Sequence, residues 1–273
     1  MDKLRFGTAG IPLSVKVRDT INGIQKVREL NLDSFELEFV RNINIKKEKT
    51  SEVKDVAEKN NIVLTCHAPY YINLNSNDKQ KLHASIDRIL NSARIANLCN
   101  AWSVCFHAAY YMKESPEKVY AQVKNSIKYI VNILKKENNK IWIRPEVGGR
   151  VAQFGELQEI IKLSQEIEQV MPCVDFAHLH ARSNGAYNTH KEFCNVLEDI
   201  EKNLGREALN NMHIHISGIN YNEKGEKNHL ILKNSDLNYK DLVKVWKDFK
   251  IKGVVISESP NIEEDAMLLK KLM

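Results

Sequence analysis

The sequence lacks several features that would assign it to other classes of protein. Its five cysteines form no C-x-x-C pair, which argues against a thiolate zinc finger and a dithiol redox motif. No run approaches the ~20 apolar residues of a membrane span, and the N-terminal MDKLRFGTAGIP has no apolar signal segment. No Gly-rich phosphate loop follows the first predicted strand, which disfavours a dinucleotide-binding sheet. We therefore expect a cytoplasmic protein.

Length and composition are those of a single globular domain. The chain has 273 residues, of which 43% are hydrophobic and 27% charged, and one (β/α)8 barrel typically has ~250 residues. No linker divides it, so we expect one domain over residues 1–273. The net charge of +5 permits an anionic partner without requiring one. Cys66, Cys105 and Cys173 fall in predicted strands, and we interpret them as buried apolar side chains in a reducing compartment.

Strand-like and helix-like runs alternate along the whole chain. The strand candidates are residues 4–8, 34–40, 62–67, 102–107, 141–146, 173–176, 212–216 and 253–257. The amphipathic helical runs include residues 78–98, 116–134, 238–249 and 261–272. This alternation predicts parallel strands with right-handed crossovers. Eight repeats predict closure into a single-domain α/β fold, the (β/α)8 TIM barrel, and we expect it to be a monomer.

Potential metal ligands follow the C-terminal ends of the predicted strands. They are His67, His107, Glu146, Asp175, His178, His213, His215 and Glu258. In a TIM barrel these strand ends meet at one mouth, so residues distant in sequence converge there. Imidazole and carboxylate together suit Zn²⁺, Mn²⁺ or Fe²⁺, and buried polar groups at this density must pair with one another or hold cations.

The two glutamates at the predicted mouth have two possible roles. Glu146 can bridge two metal ions about 3.5–4 Å apart, an arrangement used for phosphoester displacement, and Glu258 can complete the ligand ring or activate water. Alternatively, both glutamates form salt bridges with Arg144 or Arg150. The neighbouring Gly148-Gly149 either permits close backbone approach or makes a tight turn.

The loops after the second and third strands supply candidate nucleic-acid contacts. Tyr70 and Tyr71 lie on the predicted rim, where they either stack on bases or ribose or pack within a loop. Arg41 either contacts phosphate or lies in an ordinary exposed loop. His83 and His190 have helical surroundings, and we interpret them as surface residues.

Six motifs together resemble the endonuclease IV family, the metal-dependent apurinic/apyrimidinic (AP) endonucleases of the xylose-isomerase-like TIM barrel superfamily. In chain order they are HAPYYINL, FHAAY, PEVGGR with FG shortly after, CVDFAH, HIHISG and SESP. The resemblance extends from the first strand to the last. It implies a TIM barrel with two or three zinc ions per chain, Mn²⁺ or Fe²⁺ being alternatives. It also implies hydrolysis of DNA 5′ to an abasic site in base excision repair.

The resemblance also implies individual roles. The first metal would be bound by His67, His107 and Glu146, the second by Glu146, Asp175, His215 and Glu258, and the third by His178 and His229. His213 has the same strand parity as His215, and we prefer His215 because IHISG lies in the frame of the family's His-x-Asn-Asp. Glu258 and Glu146 are the catalytic candidates, with Glu258 orienting or deprotonating the attacking water. Tyr70 matches a rim residue that enters the DNA near the lesion.

The sequence departs from the family pattern after the seventh strand, in the long polar segment 217–236. The family's third metal uses an Asp-x-His pair, whereas this chain reads Glu226-Lys227-Asn228-His229, so Lys227 occupies the aspartate position. A protonated lysine cannot bind a metal ion. Either Glu226 substitutes from one residue away, or the third site is weak or empty.

These observations predict a DNA-repair hydrolase that acts on double-stranded DNA with abasic or 3′-blocked lesions. One alternative is a single-metal sugar isomerase or epimerase of the xylose-isomerase-like barrels, for which Glu146, Asp175, His215 and Glu258 would suffice. A second alternative, motivated by Lys227, is a catalytically weak protein that binds damaged DNA.

Overall fold

Eight parallel strands form the centre of the molecule, in a computed structural model that describes residues 1–273. The strands are β1 (Leu4–Ala9), β2 (Ser34–Glu38), β3 (Val63–His67), β4 (Ser103–Phe106), β5 (Trp142–Pro145), β6 (Cys173–Asp175), β7 (Met212–Ile216) and β8 (Gly253–Ser257). Hydrogen-bonded neighbours follow the order β5-β4-β3-β2-β1-β8-β7-β6. Parallel bridges from Ile143 to Val170 and from Glu146 to Cys173 join the two remaining edges. The predicted TIM barrel is therefore confirmed.

Helices surround the barrel and connect its strands. They are α1 (Thr20–Glu29), α2 (Thr50–Lys59), α3 (Lys79–Leu98), α4 (Pro116–Lys136), α5 (Leu157–Glu166), α6 (Phe176–Arg182), α7 (His190–Leu204), α8 (Arg206–Leu209), α9 (Tyr239–Asp248) and α10 (Glu263–Leu272), with 3₁₀ turns at Lys47–Lys49 and Leu232–Asn234. Polar side chains cap the N-termini of the two longest helices, α3 and α4. Asp78 accepts a hydrogen bond from the backbone of Gln80, and Ser115 accepts one from Lys118. No helix is long and apolar enough to cross a membrane.

The sixth strand is shorter than its sequence suggests. Residues 173–176 are strand-like, but Phe176 already begins α6. The reason is local, because Asp175 Oδ1 accepts a hydrogen bond from the backbone nitrogen of His178 at 2.7 Å and so caps the helix. The junction places Asp175 on the strand end and His178 in the first helical turn, both facing the barrel mouth.

Segment 217–236, which the sequence presents as a polar loop, contains a β-hairpin. Its strands are Gly218–Asn222 and Gly225–Leu230, and it packs on α6. A second small ribbon pairs Ala109–Tyr110 with Gln153–Phe154. Both ribbons stand at the C-terminal ends of the barrel strands, so they extend the walls of the mouth.

The interior of the barrel is polar, which is unusual for this fold. TIM barrels are generally filled by branched apolar side chains. Here hydrogen bonds and ion pairs cross the interior between strands that are not neighbours, as from Ser103 to His213 and from Glu36 to His213. The apolar core lies instead between the outer faces of the strands and the helices. Polar side chains therefore predominate in a column below the mouth, with the buried Val254 and Ile256 of β8 as apolar members.

Candidate metal centre

The barrel mouth brings the predicted ligands together. Groups whose ligand atoms all lie within 4.8 Å of one another are His67, His107 and Glu146; Glu146, Asp175, His215 and Glu258; and His178, His229 and Glu258. Glu146 is common to the first two groups and Glu258 to the last two. These groups have the same composition as the three sites that the family resemblance implies, except that Glu258 joins the third.

Glu146 lies at the centre of the cluster and uses both carboxylate oxygens. Its Oε2 lies 3.2 Å from His67 Nε2 and 3.5 Å from His107 Nε2. Its Oε1 lies 2.9 Å from His215 Nδ1 and 3.5 Å from His178 Nδ1. One buried carboxylate is thus shared by imidazoles from four different strand ends, as a bridging ligand would be.

The two histidines of β7 have different environments. His215 Nδ1 faces the mouth and lies 3.4 Å from Glu258 Oε1. His213, one layer deeper, lies 3.2 Å from Glu36 Oε2 and contacts Ser103. The structure therefore brings His215, and not His213, within reach of the mouth cluster.

The hairpin places its own ligands against the third group. His229 Nε2 lies 3.6 Å from Glu226 Oε1, and His178 Nε2 lies 3.7 Å from Glu226 Oε2. Lys227 is exposed to solvent. Glu226 therefore occupies the place of the missing acidic ligand. Gly149 makes room for it, because a Cβ there would lie 2.7 Å from His178 Cδ2 and 2.8 Å from Glu226 Oε2.

Several atoms of the cluster are buried without a hydrogen-bond partner. They include Asp175 Oδ2, Glu258 Oε2 and His107 Nδ1. Unpaired buried polar atoms cost free energy, and each of these atoms has a lone pair in at least one protonation state. Nitrogen and carboxylate donors in this number suit divalent transition metals. The residues present thus fit a multinuclear metal centre.

Arginines do not neutralise the two glutamates of the mouth. Arg144 donates its hydrogen bonds to groups at the N-terminal end of the strands. Arg150 lies 4.0 Å from Glu226 and not beside Glu146 or Glu258. The structure thus gives no support to a simple salt bridge for either glutamate.

The electrostatic surroundings shift the pKa values of His107 and His178 in opposite directions. Burial, together with the positive charges of His178 and His67, lowers the pKa of His107 to about 4 against the opposing charge of Glu146. Burial also disfavours the charged form of His178, but Asp175 and Glu146 outweigh it and raise its pKa to about 9. His107 is therefore neutral and able to bind a metal, whereas a cation must displace a proton from His178.

Two glutamates of β2, Glu36 and Glu38, were not predicted from the sequence as site residues. Glu36 is wholly buried, accepts a hydrogen bond from Thr65 Oγ1 at 2.8 Å, and lies 3.0 Å from His215 Nε2. Glu38 lies at the mouth end of the strand, where burial and then the charge of Glu36 raise its pKa to about 8. The run SFELEF held the signal, because Glu36 and Glu38 alternate with three apolar residues and so share the inward face.

The predicted rim residues lie on the surface beside the mouth. Tyr70 and Tyr71 are 46% and 56% exposed, and their ring centroids are 4.5 Å apart. The backbone nitrogen of Tyr70 donates to the carbonyl oxygen of Val40, which sets the tyrosines beside Arg41. His83 and His190 are exposed on α3 and α7.

Comparison with known proteins assigns the fold family. Residues 24–272 match the xylose isomerase-like TIM barrel. The chain belongs to this family. The chain is 42% identical over 268 residues to an uncharacterized protein of Methanocaldococcus jannaschii. The alignment covers 98% of this chain and 96% of that protein. A probable endonuclease 4 of Aster yellows witches'-broom phytoplasma is 26% identical over 176 residues, and the match spans 62% of this chain and 59% of that relative.

Solved structures of two different activities share the fold. Endonuclease IV from Thermus thermophilus gives a TM-score of 0.75 at 15% identity, covering 97% of this chain and 98% of that one. A D-tagatose 3-epimerase-like protein gives a TM-score of 0.74 at 17% identity, and the match covers 97% of this chain and 95% of that one. At such low identity these likenesses show the fold alone, so the choice between activities depends on the site.

Proposed function

We propose that this protein is a metal-dependent phosphodiesterase that cuts duplex DNA 5′ to abasic sites. The observation that carries the proposal is the number of ligands at the mouth. Three overlapping groups share Glu146 and Glu258, and the imidazoles of His67, His107 and His178 lie outside the four residues that one metal would need. A multinuclear centre is the arrangement that stabilises both the attacking and the leaving oxygen of an in-line displacement at phosphorus.

The site residues have distinct parts in this reaction. Bound cations would lower the pKa of water toward ~7 and offset the charge that develops on the phosphate. Glu258 accepts the proton of the attacking water, since its Oε2 has no other partner. Water oxygen bonds to phosphorus as the bond from phosphorus to the 3′-oxygen breaks, and the 3′-oxygen takes a proton from solvent, leaving a 3′-hydroxyl and a 5′-phosphate. Glu146 and Asp175 orient the ligand shell.

The rim supplies contacts to DNA. Tyr70 and Tyr71 present exposed rings that can stack on bases exposed at the lesion. Arg41 beside them can pair with a backbone phosphate. An abasic nucleotide has no base to unstack, so moving it into the mouth costs less than flipping an intact nucleotide. This selects damaged over intact DNA.

Epimerisation of a sugar is the second candidate. The group Glu146, Asp175, His215 and Glu258 would serve a single metal, and structures of sugar epimerases share the fold. This candidate leaves the remaining imidazoles unexplained. The third possibility is binding of damaged DNA without cleavage, which was suggested by Lys227 at the position of an acidic ligand. Glu226 lies beside His178 and His229 instead, so this reason for the third possibility no longer applies.

A nicking assay tests the proposal. Duplex DNA with one abasic analogue is incubated with the zinc-loaded protein, and the same preparation is assayed for epimerisation of ketohexoses. We expect cleavage 5′ to the analogue, none of an intact duplex, and no epimerisation. Epimerisation without cleavage would replace the proposal with the sugar reaction. Tight binding of the abasic duplex without cleavage would leave only the binding function.

A further inference from the structure

A second cluster of potential ligands lies inside the barrel, below the mouth. This deep cluster consists of Cys105 on β4, Cys173 on β6, and His213 and His215 on β7. All four side chains are inaccessible to solvent. Because polar groups in an interior cost free energy unless they are paired, four such residues in place of the usual apolar filling require an explanation.

The ligand atoms of the deep cluster are close enough together to surround one metal ion. One ligand atom from each of the four residues lies within 4.8 Å of the others. Cys105 Sγ lies 3.7 Å from His215 Nε2. With Zn–S near 2.3 Å and Zn–N near 2.0–2.1 Å, tetrahedral ligand atoms are roughly 3.3–3.8 Å apart. The distance between Cys105 and His215 lies in this range, and the 4.8 Å limit means that other pairs would have to approach by up to roughly 1 Å to hold a zinc ion.

His213 is held with one ring nitrogen available. Its Nδ1 lies 3.1 Å from Ser103 Oγ, and donation of the Nδ1 proton to this hydroxyl leaves the lone pair on Nε2. Nε2 is buried and faces the carboxylate of Glu36, whose Oε2 lies 3.2 Å away, so a metal ion on Nε2 would replace this contact. Histidine ligands commonly donate their second N–H in this way, which fixes the tautomer and the orientation of the ring.

The buried cysteines fall into two kinds. Cys66 and Cys99 belong to the apolar core between the strands and the helices. Cys105 and Cys173 are equally buried but are not part of that core. The interpretation of the strand cysteines as apolar filling therefore describes Cys66, whereas Cys105 and Cys173 face the polar column of the barrel.

We propose that Cys105, Cys173, His213 and His215 bind a structural Zn²⁺ inside the barrel. Two thiolates balance the charge of the dication, and the buried carboxylate of Glu36, 3.0 Å from His215 Nε2 and 3.2 Å from His213 Nε2, would lie beside the ion. A closed set of four protein ligands, without an open position, is typical of structural zinc. This ion would link β4, β6 and β7 under the mouth. His215 would join the two sites as a bridging imidazolate that has lost its ring proton, with Nε2 on the deep ion and Nδ1 toward the mouth, where it faces Glu146.

X-ray absorption at the zinc edge tests this proposal without any mutation. The ligands of the mouth contain only nitrogen and oxygen, so a sulfur shell reports the deep cluster alone. We expect a Zn–S distance of about 2.3 Å in the zinc-loaded wild-type protein. A spectrum without a sulfur shell overturns the proposal. The result does not depend on DNA cleavage, so failure of the proposed nuclease activity and failure of this site are distinguishable.

Cysteine variants locate the sulfur ligands. In the cobalt-substituted protein we expect a near-ultraviolet sulfur-to-cobalt charge-transfer band. The double variant Cys105→Ser, Cys173→Ser should lose this band and one metal equivalent per chain. The matched variant Cys66→Ser, Cys99→Ser, which changes two equally buried cysteines, should keep both. A band that persists in the first variant or disappears only in the second contradicts the assignment. If the first variant does not fold, the wild-type zinc spectrum decides.

Discussion

At the scale of single residues, the mouth depends on two shared carboxylates. Glu146 faces four imidazoles with its two oxygens, and Glu258 takes part in two of the ligand groups. The two carboxylates differ in their capacity to accept a further proton or hydrogen bond, because Glu258 Oε2 is buried without a hydrogen-bond partner. Glu146 is thus suited to hold the centre together, and Glu258 to act on the water.

Replacement of Glu258 by glutamine tests its role in proton transfer. Gln retains a ligand oxygen but cannot accept the proton, so we expect nicking of abasic DNA to fall by about 10²-fold or more with bound metal retained. Elemental analysis and single-turnover cleavage provide the two readouts. Glu223→Gln, at an exposed glutamate in the hairpin turn, should cleave at the wild-type rate. Unchanged turnover in the Glu258 variant would remove this residue from the mechanism.

Glu38 makes the stability of the metal-free protein depend on pH. Burial and the charge of Glu36 raise its pKa to about 8, whereas an unfolded glutamate titrates near 4.5. Between these values the unfolded state releases the proton first, so wild-type stability falls as pH rises. The free energy of unfolding of Glu38→Gln should match that of wild type near pH 4.5 and exceed it by at least ~1 kcal/mol at pH 8. Urea unfolding in EDTA measures this, and a constant difference across that range would contradict it.

At the scale of secondary-structure elements, the hairpin after β7 explains how Glu226, displaced by one residue, still reaches the proposed metal centre. His229 pairs with Ile219 and Glu226 with Tyr221, and the register shifts between these pairs. Lys227 is the extra residue in this bulge. In a regular strand, residues three apart face opposite sides, but the bulge returns Glu226 to the face of His229.

Deletion of Lys227 tests this account of the hairpin. The change leaves Glu226 and His229 two positions apart in a regular strand, which keeps them on one face, so we expect bound metal and cleavage to be retained. Glu226→Gln should instead lower the metal content by up to one equivalent. Lys227→Ala serves as the control for the exposed side chain. If the deletion variant loses as much metal as Glu226→Gln, the bulge does not explain how Glu226 replaces the expected aspartate.

Local sequence patterns were sufficient to predict the eight strands of the barrel. The bounds of β7 and β8 agree with those predicted, since both are continuous buried runs between polar segments. Strand-end position likewise indicated the mouth residues that the structure brings together. The bulge at Lys227 could not be predicted, because strand register depends on pairing. The contacts of Glu36 and Cys105 across the barrel depend on closure, which no local pattern encodes.

At the scale of the whole molecule, the two proposed metal sites are supported by almost every strand of the barrel. The mouth cluster takes side chains from the ends of β3 to β8 and from the hairpin, while the deep cluster connects β4, β6 and β7. Without cations, acidic groups such as Glu38, Glu146 and Glu258 share a buried volume. Binding of metal at the proposed sites would therefore be coupled to the stability of the barrel.

Removal of the metal should destabilise the whole barrel. A ligand present at 1,000 times its Kd stabilises the folded state by ~4 kcal/mol, so chelation should lower Tm on the order of 10 °C. Calorimetry before and after EDTA treatment measures the change, and restoration by Zn²⁺ is the control. An unchanged Tm in protein shown by elemental analysis to have lost its metal would contradict the coupling.

The most direct test of the central claim, a multinuclear metal centre at the barrel mouth, is anomalous diffraction at the zinc edge from crystals of the zinc-loaded protein. We predict two or three peaks at the mouth, with Glu146 between two of them and roughly 3.5–4 Å separating the ions. One peak is expected beside His67 and His107 and one beside Asp175 and His215. A single mouth peak held by Glu146, Asp175, His215 and Glu258 alone would contradict the account and favour the sugar epimerase.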